Sequence, residues 1–197
     1  MSRKQELEQN IIELYSEGSS FTYGSLVHEY PGARVEQEKA FISIQSVYGE
    51  DASICSMGLE YGYASFADIV VGKKRFFANN PPAAGIYSIE NCLFILLCNY
   101  LNIYVLGEHS YYHESGFSYS RAREAGDFLP EFSCIDKFQN ISIESLSNNI
   151  TELLAKSSYE RVHSEDLDSY LIKSIKLQSN LMGEPALLYD GYFNWTD

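Results

Sequence analysis

Two imidazoles and two carboxylates fall within seven consecutive residues, Glu108-His109-Ser110-Tyr111-Tyr112-His113-Glu114. Residues four apart share one face of a helix, so His109 and His113 could grip one divalent metal there. Glu108 or Glu114 would then be the general base of a small metal-dependent hydrolase. The surroundings argue against this. Gly107 and Gly116 leave room for barely two helical turns, and the glutamate that directly follows the first histidine of a metalloprotease helix is missing. No third ligand can be named from the spacing. The segment reads instead as a solvated loop in which Tyr and His make ordinary surface hydrogen bonds, and no metal or cofactor is assigned.

Thiol chemistry is the next possibility. Cys92 and Cys98 are six apart, unlike the Cys-x-x-Cys spacing of zinc ribbons and redox pairs, and read as core thiols acting as small hydrophobes. A nucleophilic cysteine drawn from Cys55, Cys92, Cys98 and Cys134 could pair with His28, His109, His113 or His163, but such partners meet only in space. Gly116-Phe117-Ser118-Tyr119-Ser120 lacks the second glycine of a nucleophile elbow. Lys73-Lys74-Arg75, beside Phe76 and Phe77, is the one basic run. Gly72-Lys73 has neither the preceding glycine nor the following hydroxyl of a phosphate loop, so the run reads as a solvated turn or as lysine protection of an edge strand.

What stands out in composition is charge and tyrosine. Fourteen basic residues against 27 acidic ones give a net charge of -13, spread along the chain, which repels phosphate backbones and excludes nucleic acid as an expected partner. Tyrosine occurs 16 times against 11 phenylalanines and one tryptophan. Tyr61, Tyr63, Tyr111, Tyr112 and Tyr119 cluster, and tyrosine supplies contact area with a polar tip at low entropic cost. These five are the candidate binding residues. They suggest an acidic protein-binding module whose partner is another protein, a basic one, and one version is an inhibitor or immunity-type protein. The same rings could instead line the rim of the core with their hydroxyls in water.

The elements that would position these groups follow from spacing. Leu7, Ile11, Leu14 and Tyr15 after Ser2 predict an amphipathic helix over 3–16, too charged for a secretory leader, which needs ~7–15 continuous apolar residues. A cytoplasmic location with reduced thiols is therefore expected. Residues 34–48 lean towards helix, and 52–77 read as strands joined by turns around Gly72 and Lys73, before the Asn79-Asn80-Pro81-Pro82 loop. Ser88 could cap a helix from Ile89 to Leu101 that is apolar nearly all round, followed by a buried strand over 103–106 ending at Gly107. The uncharged stretch from Asn91 to Gly107 falls short of the ~20 predominantly apolar residues that a bilayer needs, so no membrane partner is expected. Residues 107–130 read as a surface excursion with a short helix near 121–125. Helices follow after Ser142 and after Ser164, the second reaching Leu181, and Asp190-Gly191 signals a hairpin. The expected fold is a single α+β domain over 1–197: a small sheet packed against helices from both chain ends.

Overall fold

A computed structural model describes residues 1–16, 33–48, 53–58, 66–76, 86–114, 132–171 and 186–193; within the sheet, side chains are described for 66–72, 92–109 and 160–161. The architecture is α+β. Helix α1 (Arg3–Ser16) forms where the heptad-like spacing predicts it, and Ser2 starts it with a reciprocal cap. The Gln5 N–H donates to Ser2 Oγ at 3.3 Å while the Ser2 N–H donates to Gln5 Oε1 at 2.9 Å. Helix α2 (Ala33–Tyr48) buries Ala33, Gln37, Ala40 and Ile44 along one stripe.

Four strands run as an antiparallel meander: β1 (Ser53–Gly58), β2 (Phe66–Phe76), β3 (Ile86–Cys98) and β4 (Ile103–Glu114). A two-residue strand β5 (Glu160–Arg161) adds in parallel beside β4, giving the order β1-β2-β3-β4-β5. Helix α3 (Ile141–Leu154) and two short helices, α4 (Ser164–Leu167) and α5 (Leu188–Tyr192), complete the fold.

The helix expected from Ile89 to Leu101 is instead β3. Every side chain from Cys92 to Cys98 is fully buried. Phe94, Leu96 and Cys98 pack with Leu7 and Ile11 of α1, Leu167 of α4 and Leu188 and Tyr192 of α5. Leu93, Ile95 and Leu97 pack with Ala40 and Ile44 of α2 and with Ile143, Ile150 and Leu154 of α3. A strand buried on both faces is apolar at every position, so its sequence carries no period that tells strand from helix. Fully burying one such side chain contributes about 1.5–3 kcal/mol, and this run supplies the centre of both cores. Its backbone is paired on both edges as well, Ile95 lying opposite Ile69 of β2 and Leu106 of β4.

Other expectations are corrected by the same tertiary logic. The 67–77 region is not two strands with a turn at Gly72-Lys73; β2 runs through with a register shift between Val71 and Lys73. Lys73 of the Lys73-Lys74-Arg75 run is paired on both sides, with Ser53 of β1 and Glu90 of β3, so it does not stand at a sheet edge. Helix α3 is capped by Asn140, whose Oδ1 accepts from the Ser142 N–H at 2.9 Å, and not by Ser142 itself. The helix after Ser164 ends at Leu167, and Tyr170 already pairs in an isolated bridge with Leu187. Asp190-Gly191 lies in α5, not in a hairpin, because Asp190 Oδ2 accepts from the Leu187 N–H at 2.7 Å and starts a helical turn. That turn is pinned to α1: Tyr192 Oη donates to the Leu7 carbonyl at 2.7 Å, and Tyr15 Oη donates to the Gly191 carbonyl at 3.1 Å. The helix expected near 121–125 lies outside the described residues.

Gly107 does not end its strand. It sits inside β4 at an antiparallel bridge to Ile135, where a Cβ would fall 2.1 Å from the Cys134 carbonyl oxygen and 2.8 Å from the Phe94 ring. Gly107→Ala is therefore expected to destabilise the protein by about 2 kcal/mol or more, read as a lower urea midpoint. Gly191→Ala is the contrast. Its Cβ would meet only side-chain methyls, Ile11 Cδ1 at 3.1 Å and the two Leu171 Cδ atoms at 3.5 Å, and the helical gain of up to ~1 kcal/mol should leave stability unchanged or higher.

Candidate functional site

From Asn102 to Glu108 the outer edge of β4 is covered by segments from later in the chain. The Glu160 N–H donates to the Asn102 carbonyl at 2.8 Å, the Val162 N–H to Tyr104 at 2.9 Å and the Asp136 N–H to Leu106 at 3.1 Å. The Glu108 N–H donates in turn to the Lys137 carbonyl at 3.1 Å. This seam brings together side chains far apart in sequence: Glu108 and His109 from β4, Cys134 from a 3₁₀ turn (Phe132–Cys134), then Asp136, Arg161 and His163.

Glu108 to Glu114 is strand, not loop or helix. Four residues of strand separate positions 109 and 113 by roughly 13 Å, so the helical geometry that would let His109 and His113 share a metal is absent. Glu108 is occupied: its Oε2 accepts the backbone N–H groups of Gln139 at 2.7 Å and Asn140 at 2.9 Å. The carboxylate thus holds the turn that leads into α3, next to the positive end of the helix. Among the described residues no three His, Cys, Asp or Glu side chains are grouped to hold a metal ion.

Of the tyrosine candidates, Tyr111 and Tyr112 occupy β4 register positions opposite Ile89 and Ser88. Tyr61, Tyr63 and Tyr119 lie outside the described residues. His109 is brought to a thiol: Cys134 Sγ stands 3.9 Å from its Nδ1. Nothing in the sequence selects that pair over the others, since 25 residues separate the two and only the crossing at Gly107 joins them.

Asp136 is the second group that spacing does not reveal. It has a positive φ of 56°, a conformation that aspartate tolerates better than most residues. Its Oδ1 accepts from the Arg161 guanidinium at 2.7 Å and lies 3.4 Å from His163 Nδ1, and its Oδ2 accepts the Ser164 N–H at 2.7 Å. Burial alone would raise this carboxyl. The Ser164 N–H and the Arg161 guanidinium outweigh burial and hold it below its ordinary value. The arrangement is an anchor that ties the 3₁₀ segment to β5 and the start of α4.

Comparison of the chain with protein-family models, with curated proteins and with solved structures finds no match.

Three measurements check these roles. A carboxyl lowered by folding adds stability above the unfolded aspartate range, and that stability is lost as pH falls through the folded value. Asp136→Asn, which keeps the backbone conformation accessible, should cost on the order of 2 kcal/mol at pH 7, with the deficit shrinking towards pH 3. Glu108→Ala should lower stability by about 1–2 kcal/mol by stranding two backbone donors, and Glu108→Gln, which keeps an acceptor oxygen, by less. Chelator added to protein purified without a histidine tag should leave the melting temperature unchanged.

Proposed function

We infer that the protein is a cytoplasmic acidic binding module that engages a basic protein partner, in the manner of an inhibitor or immunity-type protein. The observation that carries this reading is the charge balance, -13 overall. Four cations are already matched to carboxylates of the same chain: Arg3 with Glu6 and Glu160, Lys4 with Asp168, Lys39 with Glu36, and Arg161 with Asp136. The exposed faces of α2, α3 and α4 carry Glu38, Glu144, Glu152 and Glu165 in addition. A field of one sign steers an oppositely charged protein into encounter and repels nucleic acid. Tyr61, Tyr63, Tyr111, Tyr112 and Tyr119 would add short-range contact area once the partner has docked.

The test is copurification from the native host followed by binding measurements with the purified partner. One basic protein should be retained in stoichiometric amount, with an association rate that falls by tenfold or more between about 50 and 500 mM salt. Tyr111 and Tyr112 alternate across the strand, so one of Tyr111→Ala and Tyr112→Ala should speed dissociation by about tenfold and the other leave it unchanged. A protein that retains no stoichiometric partner, or whose partner associates at a salt-independent rate, would overturn the reading.

A further inference from the structure

The described thiols are not equivalent. Cys92 and Cys98 are fully buried, and burial pushes each of them up to about 12, so neither ionises near neutral pH. Cys134 is only partly buried, and its Sγ stands 3.9 Å from His109 Nδ1. Both residues are held from behind. The turn that carries Cys134 is fixed by the Ile135 N–H donating to the Phe132 carbonyl at 3.1 Å, the Lys137 N–H to the Cys134 carbonyl at 3.3 Å and the Asp136 N–H to Leu106 at 3.1 Å. It can lie this close to β4 only because Gly107 has no Cβ. The His109 carbonyl accepts from the Cys92 thiol at 3.1 Å. The thiol and the imidazole are therefore presented to each other by backbone that has little freedom to move.

We propose that Cys134 and His109 form a thiol–imidazole pair and that Cys134 is a modification site for small disulfides. His109 Nδ1 takes the thiol proton as Cys134 Sγ attacks one sulfur of the disulfide. The disulfide bond breaks, a mixed disulfide forms at Cys134, and the departing thiolate collects the proton from the imidazolium. Cys134 is oxidised, and the released half of the small disulfide is reduced to a thiol. A resting distance of 3.9 Å shortens in such a reaction, since hydrogen bonds of this kind are often long before the reactant binds. The net charge of -13, with Glu108 next along the strand, disfavours anionic disulfides and selects neutral or cationic ones.

The experiment uses the full chain carrying Cys55→Ser, because the Cys55 side chain lies outside the described ones. The probes are cystamine, 2-hydroxyethyl disulfide and glutathione disulfide, with intact mass and peptide mapping as readouts. One equivalent should add to the folded protein, at Cys134. Cys92 and Cys98 should react only in urea, and cystamine should react faster than glutathione disulfide by a margin that salt removes. The rate should rise with pH between 5.5 and 8. His109→Gln should slow modification about tenfold at pH 7.5, with added imidazole restoring part of the rate. An unchanged rate in folded His109→Gln would overturn the proposal. Should that variant fail to fold, the wild-type chain decides: a Cys134 no faster when folded than in urea would sink it equally.

Discussion

A strand whose side chains are apolar on both faces must be covered on both sides, and this requirement organises the molecule. From Cys92 to Cys98, β3 leaves nothing exposed. One face demands α1 and the two short helices α4 and α5; the other demands α2 and α3. The two helical layers therefore come from distant parts of the chain, and the antiparallel meander is sandwiched where one solvated face is the commoner arrangement. Burial at the turn after β3 is not wholly apolar. Gln37, 2% exposed, donates through Nε2 to Asn99 Oδ1 at 2.7 Å, so the amide that α2 buries there has a partner. Leaving it unpaired would cost about 1–3 kcal/mol.

Closure of the sheet's far side depends on a second constraint. The edge of β4 offers backbone donors and acceptors that would otherwise face solvent or another chain. Between Asn102 and Glu108, residues 135–137 and 160–162 satisfy them, and three residues make that return possible: Gly107 by having no side chain, Glu108 by holding the entrance to α3, and Asp136 by joining Arg161 and the Ser164 N–H. The same seam sets Cys134 against His109. The place where chemistry is conceivable is thus a by-product of how the sheet is closed, and its geometry is inherited from backbone pairing.

Legibility of the site from sequence was uneven for identifiable reasons. Glu108 and His109 stood out because they are crowded with other polar groups, but crowding suggested shared chemistry with His113. A strand carries neighbours at this spacing apart by ~3.3 Å per residue. Asp136, Arg161 and His163 are single polar residues in unremarkable surroundings, and only folding gives them a common address. Cys134 was visible as a thiol, without any local feature that would choose it over Cys55, Cys92 or Cys98.

The sequence by itself determined the elements whose pattern is local. Helix α1 follows from Leu7 and Ile11 at helical spacing behind a Ser2–Gln5 cap, and α3 from Ile143, Ile150 and Leu154 on one stripe. Their amphipathic faces and caps are complete within a few turns, so no distant contact is needed to choose them. The identity of β3 was decided by tertiary structure alone. Leu93 to Leu97 is equally apolar under a period of 2 or 3.6, and hydrogen bonds to β2 and β4 select the extended form. The same holds for Gly107 and Asp190-Gly191, whose local signals are a stop and a hairpin. In the fold, the approach of Cys134 overrides the stop at Gly107, and the hydrogen bonds of Tyr192 Oη to the Leu7 carbonyl and of Tyr15 Oη to the Gly191 carbonyl hold the Asp190-Gly191 turn against α1; such contacts across the chain outweigh a turn preference worth a fraction of their energy.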